Sequence, residues 1–564
     1  MSSQDIQLVK VLEDTLNVTD KVKYAVQKGA SQFTANTYKA ISQTPSSHVY
    51  NVVVPSENTV VDRRVLWKST CVLRVDCAGV PAGSLPCDYG LTDALGAMPL
   101  HSLCTTIQST INNTTVSVNI NDLLAPLLKI HDSRELNAYN SMTPTYTDNY
   151  KFYADGVNAN NNPLGSYHNI ADEDIIPRGA FSDVIIGSSW TAGSAPTGAL
   201  STAGGAQTFY VQFTVTEPIF GLSPWTWAKC QSNNQGIYGI NNLTFQMQMN
   251  PTSSRVFRSA NNYQQVVTVQ EFRDSELLLN YLTMQPSQLV SARNVVPYLE
   301  FPRFLSTYNN PIPAGQEAVI SSQSIQLQQI PDSMLIFVRR QLGQLTPSTS
   351  DYFLPIENVS IQFNNQSGIL ASMSQQGLYQ LSRKNGLNMT WSQFKGSANF
   401  NDSTTGIGST IPLCGSVLWL NFFNDIAQNQ DYFAPGSLGQ FNIQVNARVR
   451  NNNAVGAENN LELVMVPINS GVFVTERGQS SVYTGLLTRE DVLNTSTQEG
   501  YTRSDVKRMV GGGFLDGLRS VMGKVGSVVS NPKVQELAKC GLKAALGSGR
   551  SGGAGDMGMS KRIL

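Results

Sequence analysis

The sequence predicts an all-β protein built from sandwiches or barrels, and two patterns carry that reading. The first is a period of two in the apolar residues of many short segments. Phe209, Val211, Phe213 and Val215 alternate with Tyr210, Gln212 and Thr214. Leu243, Phe245, Met247 and Met249 alternate with Thr244, Gln246 and Gln248. Val359, Ile361 and Phe363 form a third such set, and Phe441, Ile443, Val445, Ala447 and Val449 a fourth. The second pattern is the neutral polar character of the opposite faces, as in antiparallel sheets covered on one side. Met334 to Val338 is a continuous apolar run, which predicts a strand buried on both faces. Turn clusters such as Asn364-Asn-Gln-Ser-Gly and Asn451-Asn-Asn punctuate the segments. Many short strands with few helices define sandwiches or barrels.

The 564 residues accommodate two to four domains, at roughly 100–200 residues each. Hydrophobic residues make up 41%, enough for real cores, but charged residues only 14%, against roughly 25% in an average soluble protein. Asn, Gln, Ser and Thr fill the gap. Neutral polar groups suit surfaces that other subunits cover, because a buried unpaired charge is costly. A secreted β-protein with polar faces would share this composition. Net charge is −1 but unevenly spread: residues 513–564 hold eight Lys or Arg against three acids, so the tail is +5 and the remainder −6. The tail alone is therefore expected to meet a polyanion or a membrane. The polar start and the lack of any eighteen-residue apolar window predict neither a signal peptide nor a membrane span. The seven scattered cysteines read as free thiols in a reducing compartment.

Along the chain, residues 1–47 read as a helical N-terminal arm, from the spacing of Ile6, Val9, Leu12 and Leu16 continued by Val22, Ala25 and Val26. A pair of helices packed on the first domain would give the same pattern. A first β-domain follows over 48–285, with long loops at about 140–206 where Tyr, Asn, Gly, Ser and Ala dominate. Pro286, Pro297, Pro302, Pro311 and Pro313 mark a break, and a second β-domain occupies 286–490. Ile240-Asn-Asn-Leu-Thr-Phe-Gln-Met resembles Ile356-Glu-Asn-Val-Ser-Ile-Gln-Phe, a weak repeat that fits two related sandwiches in tandem. Thr488 begins a short capped helix, and 491–512 is a linker. The basic tail, 513–564, is helical and amphipathic: Phe514, Leu515, Leu518, Val521, Met522 and Val525 share one face, a candidate membrane or inner-surface contact.

Chemistry is sparse. The four histidines (His48, His101, His131, His168) form no His-Glu-x-x-His pattern, and phosphate-loop and Gly-x-Ser-x-Gly motifs are missing. A glycoside hydrolase escapes this test, since it needs only two carboxylates. Cys71, Cys77, Cys87, Cys104 and His101 lack the Cys pairs two to four apart that zinc prefers. Cys71 and Cys77 share strand parity, which turns both toward a core. Asp172-Glu-Asp lacks the alternate spacing of calcium loops. The expectation is no catalytic, cofactor or metal residue. The sharpest local signal is Met509-Val510-Gly511-Gly512-Gly513, between body and tail. It resembles the recognition pattern of the adenovirus-type maturation cysteine protease, with cleavage after Gly512. A plain flexible linker reads the same way.

Several segments in order carry a wider resemblance. They are Val54-Pro-Ser-Glu-Asn-Thr-Val-Val-Asp-Arg-Arg, Ile111-Asn-Asn-Thr-Thr-Val-Ser-Val-Asn, Asp122-Leu-Leu, Glu276-Leu-Leu-Leu-Asn-Tyr-Leu-Thr and Val296-Pro-Tyr-Leu-Glu. The second half adds Asn358-Val-Ser-Ile-Gln-Phe-Asn-Asn-Gln-Ser-Gly, Ser382-Arg-Lys-Asn-Gly, Ala434-Pro-Gly-Ser-Leu-Gly-Gln-Phe-Asn-Ile-Gln-Val and Gly471-Val-Phe. Over roughly residues 48–490 the chain resembles the double jelly-roll major capsid proteins of polinton-like viruses, virophages and adintoviruses. The resemblance implies two tandem eight-stranded jelly rolls and no catalytic residue or cofactor. It implies a homotrimer of pseudo-hexagonal outline tiling an icosahedral shell around double-stranded DNA, assembled inside the host cell and located in the virion. It also implies penton and minor capsid partners and often a maturation protease, which gives Gly512 a context. The tail then reads as an inner-surface segment with weak contact to DNA or membrane. A receptor- or glycan-binding β-sandwich of a virion is the first alternative, and a β-sandwich glycoside hydrolase the second.

Overall fold

The computed structural model describes residues 31–494, except for 91, 132–141, 146, 155–182, 226–235, 285–291, 402–407, 427–433 and 486. Eight strands build the first barrel: β1 (Ser31–Lys39), β2 (Ser47–Val52), β3 (Leu66–Val80), β4 (Cys104–Ile111), β5 (Thr114–Val118), β6 (Gly205–Pro218), β7 (Leu243–Met249) and β8 (Val266–Met284). They pair as two antiparallel sheets, β1-β8-β3-β6 and β2-β7-β4-β5. The second barrel comprises β9 (Arg293–Glu300), β10 (Glu317–Ser321), β11 (Ser333–Arg340), β12 (Ile356–Phe363), β13 (Gln366–Ile369), β14 (Leu418–Asn421), β15 (Leu438–Arg450) and β16 (Leu461–Glu476). Its sheets are β9-β16-β11-β14 and β10-β15-β12-β13. The two connectivities are identical: first, eighth, third and sixth strands in one sheet, second, seventh, fourth and fifth in the other. That is the eight-stranded jelly roll, twice over. Short strands lengthen the edges, such as Val184–Gly187 beyond β6 and Gln479–Thr484 on β16. The named helices are α1 (Pro99–Leu103), α2 (Ile120–Ile130), α3 (Gln375–Asn385), α4 (Trp391–Lys395) and α5 (Arg489–Asn494).

Strand periodicity puts the expected residues inside. Phe209, Val211, Phe213 and Val215 of β6 are buried while their neighbours are half-exposed, and β11 is buried along nearly its whole length. Trp67, Phe213 and Phe245 fill the first core, Phe337, Phe353 and Phe394 the second. Each such side chain contributes about 1.5–3 kcal/mol on burial.

Three expectations from the sequence are corrected. Residues 31–47 are not part of a helical arm: β1 is the first strand of the first jelly roll, and it pairs with β8 from Ser31↔Met284 to Lys39↔Glu276. It is an edge strand whose side chains are mostly exposed, so it has no apolar face for periodicity to detect. Residues 1–30 lie outside the described residues. The weak repeat aligns strands that are not equivalent: its first copy leads into β7, the seventh strand of one barrel, and its second copy is β12, the fourth strand of the other. Strands that alternate between core and surface resemble each other by burial pattern alone. Finally, residues 140–206 are not only loops of the first barrel. Val184–Gly187 is a strand paired with β6, and residues 149–153 dock on the second barrel.

One glycine is dictated by a close approach. Gly415, just before β14, has φ +80°, and a Cβ there would lie 1.8 Å from the carbonyl oxygen of Phe353. Gly415→Ala should cost at least about 2 kcal/mol, combining left-handed strain with backbone displacement. Gly343→Ala, where a Cβ meets nothing within 4 Å, is the control. Equal melting temperatures for the two variants would refute the argument.

Candidate assembly site between the barrels

A protein made of two barrels must fix them against each other, and here buried ions do so. Helix α2 of the first barrel is buried except at Asn121, and its first turn aims Asp122 at the second barrel. Asp122 accepts from Arg303 and from Arg339 of β11. Arg339 also reaches Glu462, its cross-strand neighbour on β16, at 2.7 Å. Its guanidinium is thus shared between the two barrels.

A second cluster joins Arg255, just before the short strand Phe257–Ser259, and Arg258, within it, to Asp351 between β11 and β12. Arg255 Nε and Nη2 donate to the two Asp351 oxygens at 2.8 and 3.1 Å, and its Nη1 to the Asn121 carbonyl at 2.8 Å. Arg258 Nη2 lies 3.3 Å from Asp351 and its Nε 3.0 Å from Asp148. Burial alone would push the Asp351 carboxyl up, but Arg255 and Arg258 overcome this and hold it at about 2.

The third cluster comes from the irregular stretch after α2. Residues 149–153 act as a strap: Lys151 N–H donates to the Pro412 carbonyl, Tyr153 N–H to Ser348, and Cys414 N–H to Asn149. The strap carries Lys151 to Glu458 at 2.8 Å. Glu458 also accepts from Arg340 Nη2 at 3.1 Å and Tyr352 OH at 2.7 Å. Burial again opposes the charge, yet Lys151 and Arg340 hold the Glu458 carboxyl below its ordinary value. Farther along the junction Thr114 Oγ1 donates to the Ser480 carbonyl and Ser480 N–H to Asn113 Oδ1, both at 2.8 Å.

One pair looks catalytic and is not open to substrate. Glu217 accepts from the backbone N–H of Leu100 and His101, from Thr143 Oγ1 and from His101 Nδ1. His101 Nε2 accepts the Phe220 N–H at 3.2 Å. Both side chains are fully buried with their groups satisfied, so the dyad anchors α1. Among the described residues no three His, Cys, Asp or Glu are placed to hold a metal. Cys71, Cys77, Cys87, Cys104 and Cys414 are free and buried. Met509, Gly511, Gly512, Gly513, Phe514, Leu515, Leu518, Val521, Met522 and Val525 lie outside the described residues. Of the clustered ions only Asp122 was named from the sequence, in the Asp122-Leu-Leu segment, and none was read as part of a junction. The available signal was a charge set in an apolar run, as Arg339 after Met334 to Val338 or Glu462 between Leu461 and Leu463.

Two jelly rolls of one connectivity, joined by clusters of buried ions, define the double jelly-roll architecture. The family model described as Sputnik virophage major capsid protein 1st domain matches residues 4–291. The model described as major capsid protein V20 C-terminal domain matches residues 301–471. The chain therefore belongs to the Sputnik-type virophage major capsid protein family. It is similar to the putative capsid protein V20 of Sputnik virophage, 28% identical over 550 residues that cover 93% of this chain and 88% of that one. Against the 3.5 Å cryo-EM structure of the Sputnik virophage it has a TM-score of 0.77 and 25% identity, over 90% of this chain and 99% of that one. The mavirus major capsid protein crystal structure shares the fold at TM-score 0.69 and 16% identity, covering 88% and 99%. The chain is a non-enzymatic capsid protein that assembles with copies of itself in the virion.

Proposed function

We propose that the chain forms a homotrimer of pseudo-hexagonal outline, and that these capsomers tile an icosahedral shell around double-stranded DNA. The observation that carries this reading is the pair of identical connectivities locked by buried ions. Three copies around a threefold axis then supply six similar walls, and a rigid pair keeps them in register. The low charge content supports it, because interface cores are depleted of charge. Electron microscopy of the purified protein should show particles with a hexagonal outline; a protein that stays monomeric at high concentration would refute the trimer.

The same shell needs penton and minor capsid proteins at its vertices and seams, and we propose these as partners. We further propose that a viral maturation cysteine protease cuts after Gly512, releasing the tail from 513 onward, and that the tail contacts DNA or membrane only weakly, its charge being +5. Mass spectrometry of mature particles should find Gly512 as a C-terminus. Finding only full-length chains in infectious particles would end that idea.

A further inference from the structure

On the outer face of the second barrel lies an open groove of about 660 Å³, within the range of small-molecule sites. Its floor is the sheet β10-β15-β12, which contributes Glu317, Arg448 and Glu357. Its walls are the segment from Ala371 to Gln376, leading into α3, and helix α4 with Trp391 and Lys395.

Three features distinguish it from an incidental surface dip. The first is a β-bulge: Ile356 pairs with Val449 and Asn358 with Arg448, so Glu357 is an extra residue in the ladder. Bulges re-aim side chains, and they are enriched beside functional sites. The second is a braced wall. Asn358 Nδ2 donates to the carbonyls of Ala371 and Met373, both at 2.9 Å, and Thr390 with Gln393 closes a capping box under Trp391. The groove is thus shaped before any ligand arrives.

The third is unused polar capacity. Glu317, Glu357, Lys395 and Arg448 form no ion pair with one another among the described residues, although both signs line one groove. Gln375 Nε2, also on the wall, is buried without a hydrogen-bond partner among the described residues. Two carboxylates offer acceptors, while the ammonium and the guanidinium offer donors. The four lining charges cancel, Arg450 stands outside the lining across from Glu317, and the two carboxylates would repel a phosphate or sulfate. Trp391, packed on Tyr379 with ring centroids 5.4 Å apart, adds a held aromatic surface. Interleaved donors and acceptors beside an aromatic ring match a ligand with many hydroxyl groups and one apolar face.

We propose that this groove is a binding site for a neutral saccharide, with Trp391 under the sugar ring and Glu357, Arg448 and Lys395 on its hydroxyls. The site binds and does not cleave, and it gives a coat protein an affinity for glycans. The test is a glycan array of neutral, sialylated and sulfated oligosaccharides, probed with the full-length protein and with Glu357→Gln and Arg448→Gln. The full-length protein should retain neutral hexose-containing glycans. Each variant should lose at least tenfold in apparent affinity with its melting temperature unchanged. Trp391→Phe, which keeps a ring on Tyr379, should bind more weakly than the parent and better than Trp391→Ala. No saccharide bound above background would overturn the proposal. So would binding that survives both polar substitutions, or binding confined to sulfated or sialylated glycans and lost in 0.3 M salt.

Discussion

Asp351→Ala should lower the stability of the chain by about 3–5 kcal/mol, the cost of breaking a buried pair by removing one partner. The size follows from what is left behind. Arg255 and Arg258 are 2% and 1% exposed, and both direct nitrogens at this carboxylate. Without it two guanidinium groups remain in the interior with part of their hydrogen bonding lost. Asp351→Asn keeps the shape but not the charge, so it should recover little. Urea denaturation of parent and variants measures the difference, and a loss under about 1 kcal/mol would mean that water replaces the carboxylate at little cost. Because the Asp351 carboxyl sits at about 2, its contribution is present above the ordinary carboxyl range near pH 4 and disappears only as pH falls toward 2. Mild acid should leave this cluster intact.

Mild acid should act instead at His48. This side chain of β2 is fully buried, its ring centroid 4.4 Å from that of Phe272 and 5.7 Å from that of Trp67, and its Nε2 has no hydrogen-bond partner among the described residues. Burial disfavours the imidazolium and lowers the group from 6.5 to about 4. The folded state therefore prefers the neutral ring, while the unfolded chain takes up a proton near pH 6.5. The resulting stability is complete above pH 6.5 and is lost as pH falls from 6.5 to 4, about 3 kcal/mol in all. His48→Phe should flatten the stability profile between pH 6.5 and 4. A variant with the parent's slope would assign that acid sensitivity to other groups.

Much of the fold was legible because burial leaves a period in the sequence. The alternation in β6, β7, β12 and β15 located those strands, and the run from Met334 to Val338 located β11. The eight-stranded, twofold arrangement came from the ordered family motifs, since alternation cannot say which strand pairs with which. β1 escaped because an exposed edge strand is held by backbone pairing to β8, which needs no apolar side chain. The strap at 149–153 escaped for a similar reason: its docking rests largely on main-chain bonds to Pro412, Ser348 and Cys414. The junction ions were invisible as a set because Asp122, Arg339 and Glu462 meet only once two barrels are folded. The groove in the second barrel rests on a bulge whose only mark in the sequence is one three-residue step, Ile356 to Val359, in an otherwise two-residue alternation.

The strap also sets an order of events during synthesis. Lys151 emerges early, but Glu458 leaves the ribosome only after nearly the whole second barrel has been made. The first barrel can close its sheets while the ribosome is still working, yet its strap has no counter-charge to settle on until the last long strands exist. Chains interrupted before that point lack a completed junction, and with it the fixed pair of barrels.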